Sequence, residues 1–215
     1  MYKKTKYIKI YYNKEDNSYI DELIEYISNE EINILHFFNM DTINNKVIVN
    51  IYNNINNFRE NCKNIKNNND IPLWLSGLSY YKDNIYYIDT LSLKEYKITK
   101  SHKNATISDL KKLIVHEFTH SIEYIYSNNE NTYKWLNEGC ATYLSKQYKE
   151  KDLILSVSYE DLLNSNIDYR NYFTMFYYLV NNYNKEYILN LFKDEELLMK
   201  ESLIIYNKTK ERYQI

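Results

Sequence analysis

KKLIVHEFTHSIEYIYSNNENTYKWLNEGCATYL, residues 111–144, holds two helical segments whose polar residues are spaced to meet. His116, Glu117 and His120 form H-E-x-x-H, and Glu138 follows inside W-L-N-E-G. On a helix, positions i and i+4 project from one face a turn apart, so His116 and His120 can offer two imidazole nitrogens to one ion about 2.0–2.1 Å away. Glu117 lies about 100° further round the same helix, displaced from that ion but within reach of a water beside it. A catalytic zinc takes three protein ligands, and Glu138 supplies the one the histidines leave missing. The residues from Ser121 to Asn137 allow the first helix to end, the polar run from Ser127 to Asn131 to turn the chain, and a second helix to return. The expectation is one Zn²⁺ per chain on His116, His120 and Glu138.

The flanking sequence supports this arrangement. Thr106-x-x-Asp109 is a capping pattern for a helix running to about Tyr126, with Leu110, Ile114, Phe118, Ile122 and Ile125 on its buried face. Thr132 to Lys149 reads as the second ligand helix. With HEFTH at 116–120 and WLNEGCA at 135–141, the chain resembles the gluzincin zinc metallopeptidases, and most closely the peptidase-MA-like families. The resemblance covers roughly Thr106 to Phe192, since Tyr169 to Tyr183, YRNYFTMFYYLVNNY, looks like the family's tyrosine-bearing helix.

The resemblance implies hydrolysis of peptide bonds, with Glu117 as general base and a tyrosine donating to the oxyanion. Tyr169 fits that tyrosine, and Tyr172, one turn on, is its rival. It also implies a sheet edge that holds peptide or protein substrate as an added strand, for which Asn84 to Thr90, just ahead of the metal helix, is the candidate. Some gluzincins place an acid one turn after the ligand glutamate, where this chain has Thr142; Glu123, three residues past His120, is the acid on the ligand face. Peptide deformylases share H-E-x-x-H but carry their E-G-C motif before the histidines, whereas Glu138-Gly139-Cys140 comes after. The G-x-M-E-N stretch of the large gluzincin aminopeptidases has no counterpart in Trp74 to Ser79, which favours an endopeptidase. Two other functions fit the same residues: a zincin-fold binding module without turnover, and a small intracellular regulatory protease acting on a repressor.

The remaining sequence sets the frame. With 215 residues, 27 basic and 29 acidic side chains and net charge −2, the chain can bury a real core and offers no basic stripe for nucleic acid. Its 26 tyrosines, 2 glycines and 1 proline look like the drift of an AT-rich genome. No run of 18 apolar residues occurs, so no transmembrane segment is expected. The charged start MYKKTKYIKIYY is no signal peptide, giving a cytoplasmic address if Met1 is the native start and leaving a mature secreted form otherwise. Cys62 and Cys140 lack metal-type spacing; Cys62 falls on the apolar stripe Ile55, Phe58, Cys62, Ile65.

Strands are expected at Lys6 to Tyr12, Ile32 to Phe38, Lys46 to Tyr52 and Asn84 to Thr90, with helices from Ser18 to about Asn29 and Asn53 to Lys66. Helices fill the C-terminal half. The resulting expectation is α+β and zincin-like: one metallopeptidase domain over 1–215, an N-terminal mixed sheet with helices to about residue 127, a helical lobe over 128–215, and an active-site cleft between.

Overall fold

The computed structural model describes residues 1–44, 46–99, 102–128, 133–164 and 167–213. It is an α+β protein with five strands, β1 (Tyr2–Lys4), β2 (Ile8–Tyr11), β3 (Val47–Tyr52), β4 (Gly77–Lys82) and β5 (Ile85–Leu91). These form one mixed sheet in the order β1-β2-β3-β5-β4, in which β2, β3 and β5 run parallel and β1 and β4 are antiparallel. Two compact units divide the chain, Met1–Ser121 and Ile122–Ile215.

In the first unit, α1 (Ile20–Phe37), α2 (Ile55–Lys66) and α3 (Leu93–Ile98) accompany the sheet, and α4 (Ile107–Ser127) starts there and continues into the second. One sheet face is apolar: Ile8, Ile10, Val47, Val49 and Ile88 are fully buried. The opposite face is built around Asp89, also fully buried. Its carboxylate accepts from Asn50 Nδ2 at 2.8 Å, Tyr80 Oη at 3.2 Å, Tyr52 Oη at 3.5 Å and, at close range, Asn61 Nδ2 of α2. Burial raises the Asp89 pKa above the ordinary carboxylate range, and these donors pull it back down.

Two expectations are corrected here. The run Ile32 to Phe38 is no strand: α1 continues through it, with Ile27, Glu31, Ile34 and Leu35 buried at helical spacing. Glu31 explains how, because its carboxylate leaves the helix to accept from Thr5 Oγ1 at 2.5 Å and from the backbone N–H groups of Lys6 and Tyr7, joining α1 to the start of β2. Asn84 to Thr90 does form most of β5, but β5 lies between β3 and β4 and both its edges are paired. The sheet edge on that side is β4, a strand the sequence pattern does not show.

Asp83 and Asn84, both at positive φ, make the two-residue turn joining β4 to β5. Leu91 N–H donates to Ser76 C=O, so the hydrogen-bonded pairs run 76/91, 78/89, 80/87 and 82/85. The N–H and C=O groups of Gly77, Ser79 and Tyr81 therefore point away from β5, to the outer side of the sheet.

The second unit is helical: α5 (Lys134–Leu144), α6 (Tyr159–Asn164), α7 (Tyr169–Asn182), α8 (Lys185–Leu191) and α9 (Glu195–Tyr213) follow the end of α4. The second ligand helix is shorter than expected, ending at Leu144, where Ser145 returns its hydroxyl to Ala141 C=O and Lys146 takes a positive φ. Residues 129–132, expected to turn the chain and begin that helix, lie outside the described residues. Among the described residues no helix is long and apolar enough to cross a membrane.

Candidate metal centre

The metal helix begins as its sequence suggests. Asp109 closes the first turn of α4 by accepting from both Thr106 N–H and Thr106 Oγ1 at 2.7 Å. Leu110, Ile114, Phe118 and Ile122 are buried to within 1% of complete, which fixes the helix along one face. Ile125, the last residue of the expected stripe, is only half-buried. Anchored on that face, α4 presents His116, Glu117 and His120 on another.

The two imidazoles are set for one ion. His116 Nε2 and His120 Nε2 lie 3.1 Å apart, with ring planes at 89°. Two nitrogens bound to one tetrahedral zinc at 2.0–2.1 Å are separated by about 3.3 Å, so the pair nearly matches the required bite. Among the described residues, His116, His120 and Glu138 are the one group of three or more metal-ligating side chains: one atom from each lies within 4.8 Å of the others. Two imidazole nitrogens and one carboxylate oxygen form a donor set suited to zinc with a position left open. The residues present fit the ion that the sequence implies.

Glu138 reaches the centre from α5, whose own anchoring is apolar. Trp135, Leu136, Cys140 and Ala141 are fully buried, and Trp135 Nε1 donates to Ser202 Oγ of α9 at 3.2 Å. Gly139 marks where α5 meets α7 most closely: a Cβ there would stand 2.6 Å from Tyr172 C=O and 2.8 Å from Phe176 Cβ. From the first turn of α7, Tyr169 Oη donates to Glu138 Oε1 at 3.3 Å.

Tyr172 is fully buried, its ring edge-on to Tyr169 at 5.7 Å, and burial together with the Glu138 charge pushes its pKa up to about 12. The structure thus brings the Tyr169 hydroxyl onto the Glu138 carboxylate. Thr142, where some gluzincins have an acid, turns its hydroxyl back to Glu138 C=O at 2.7 Å and Gly139 C=O at 3.0 Å. The nearby acid is Glu123, 4% exposed, which takes a hydrogen bond from the Cys140 thiol. Burial first and that carboxylate second push the Cys140 pKa well up, so this cysteine is held as a thiol.

Glu117 is 8% exposed and lies against the first residue of the edge strand. A Cβ on Gly77 would stand 2.9 Å from Glu117 Oε1 and 2.9 Å from Leu113 Cδ1. The free edge of β4 therefore begins at the carboxylate. Sequence reasoning missed Gly77, and the available signal was its rarity: with 2 glycines in the chain, each position marks a place where a side chain has no room. No family model matches this chain, and no curated protein matches it.

Proposed function

We propose that this chain is a zinc-dependent peptidase of the endo type, with the ion held by His116, His120 and Glu138. The observation that carries the reading is the grouping of those three ligand atoms on α4 and α5, with Glu117 one residue from His116 and against the free edge of β4. When bound, zinc brings the pKa of a coordinated water to about 7 and polarises the scissile carbonyl.

The chain's own residues supply the rest. An extended peptide pairs with the outward N–H and C=O groups of Gly77 and Ser79, which delivers its backbone alongside Glu117. Glu117 accepts the proton of the attacking water on a carboxylate oxygen and passes it to the leaving amine. Tyr169 holds the Glu138 carboxylate through its hydroxyl and serves as the donor to the developing oxyanion.

Replacing the Glu117 carboxylate by an amide preserves shape and removes the proton acceptor. Glu117→Gln is expected to retain zinc and fold while peptide cleavage falls about 10²–10⁴-fold, the usual share of a positioned base. Metal analysis and mass-spectrometric mapping of new termini in a denatured protein mixture measure both. Wild type and Glu117→Gln equally inert toward every peptide, with zinc retained, would instead assign a binding module.

A further inference from the structure

We infer that Asn171 is a positioning residue for Tyr169, acting by fastening the irregular segment 153–157 to the first turn of α7. The inference rests on the reading of Glu138 as a metal ligand. Asn171 is 1% exposed, and its amide uses both ends on backbone: Oδ1 accepts from Ser156 N–H at 2.9 Å and Nδ2 donates to Asp168 C=O at 2.9 Å. A buried amide satisfied in this way fixes the two segments it joins, because losing either bond leaves an end of the Asn171 amide unpaired away from water.

Asp168, the residue it grips, is the N-cap of α7. Its carboxylate accepts from Arg170 N–H at 2.9 Å and from the Arg170 guanidinium at 2.6 and 3.0 Å. Tyr169 sits between these two hydrogen-bonded residues, which oppose the fraying common in a first helical turn. Tyr172 packs edge-on against the Tyr169 ring, and the Tyr169 hydroxyl donates to Glu138 Oε1 at 3.3 Å.

One turn further along, Thr174 holds the same segment by accepting from Ile154 N–H at 2.9 Å and donating to Arg170 C=O at 2.8 Å. It touches the strap without touching the residue before Tyr169. A purely structural strap predicts that both side chains matter alike; a positioning role predicts that Asn171 alone governs the centre.

The test is zinc affinity by competition with a chromophoric chelator, alongside melting temperature, for wild type, Tyr169→Phe, Asn171→Ala, Thr174→Val and the double variant Asn171→Ala/Tyr169→Phe. Partners that orient metal ligands are worth about 10–100-fold in affinity, so Tyr169→Phe and Asn171→Ala are each expected to lose about tenfold. The double variant is expected to match Tyr169→Phe within about twofold, as coupled residues do. Thr174→Val is expected to lower melting temperature only. A double variant weakened by the product of the two single losses, or a Thr174→Val chain that loses as much affinity as Asn171→Ala, overturns the inference. Should Asn171→Ala not fold, Asn171→Asp carries the same cycle, keeping shape and the acceptor for Ser156 while removing the donor to Asp168. A wild type that binds no zinc overturns the metal-centre reading and this inference together.

Discussion

The two glycines of this chain stand beside two of the residues that matter most to its candidate chemistry. Neither has a positive φ, so backbone freedom does not explain them; the space a side chain would take does. At Gly77 the obstructing atoms are the far ends of two flexible side chains, Glu117 Oε1 and Leu113 Cδ1, each 2.9 Å from an added Cβ. Both can swing aside, and that sets the prediction. Gly77→Ala is expected to keep its zinc and melt within a few degrees of wild type, but to move the Glu117 carboxylate. A misplacement of about 1 Å in such a group costs on the order of 10²-fold in rate. Cleavage kinetics with parallel metal analysis checks it, and wild-type turnover in Gly77→Ala would detach Glu117 from the reaction or Gly77 from Glu117. Cys62 shows the limit of residue-scale chemistry elsewhere: fully buried on α2, its thiol is pushed up to about 11 by burial and by Asp89, and it packs as the apolar stripe implied.

Gly139 makes the contrasting case because its obstruction is an element rather than a side chain. An added Cβ meets the backbone carbonyl of Tyr172 at 2.6 Å, and helical backbone cannot step aside without moving α7. Gly139→Ala is therefore expected to push α7 from α5, lowering stability by about 1–3 kcal/mol or more and breaking the Tyr169 contact with Glu138. Denaturant melts and zinc affinity should fall together; a variant of unchanged stability would mean that the two helices repack freely.

The Asp89 network joins elements in the other unit, gathering donors from β3, β4 and α2 onto β5. Its folded pKa is raised, so protonated Asp89 is favoured in the fold relative to the unfolded chain. The stability it contributes is complete below the unfolded value of about 3.9 and is lost as pH rises through the higher folded value. Melting temperatures of wild type and Asp89→Asn are thus expected to diverge above about pH 4, with wild type losing ground relative to the amide. A difference that stays constant with pH would refute the shift. None of this network shows in the sequence: asparagine and tyrosine are so common here that their placement opposite one aspartate emerges only from strand register.

Across the whole molecule, what was legible followed from the length of each pattern. The metal helix carries five apolar residues at helical spacing with a cap before them, and its described course from Ile107 to Ser127 matches the expected one closely. The run from Ile32 to Phe38 has too few residues to separate a strand from the end of a helix, and a buried glutamate reaching to another segment decided it. Strand β4, with Gly-Leu-Ser-Tyr-Tyr-Lys, has no alternation because its edge position buries only its beginning. The His116/His120 pairing was legible because it is a short-range spacing, while Glu138 lies far along the chain and meets the histidines only in the fold; of the two candidate tyrosines, Tyr169 has its hydroxyl 3.3 Å from Glu138 Oε1.

The group His116, His120 and Glu138 joins distant sequence positions only when the chain is folded, so an ion held there would be linked to folding. An ion that binds the native state alone stabilises it by RT ln(1 + [L]/Kd), about 2.7 kcal/mol at 100 times Kd. For a chain of this length that corresponds to a rise in melting temperature of about 5–10 °C. Chelator-treated wild type titrated with zinc is expected to show this rise, growing with the logarithm of zinc concentration above Kd. Glu138→Ala and His116→Ala should melt near the chelated wild type and respond weakly at the same concentrations, since each leaves two of three ligands. If Glu138→Ala responds as wild type does, the carboxylate is no ligand; if no variant and no wild type responds, the cluster is a packed polar group and the reaction assigned to it does not occur.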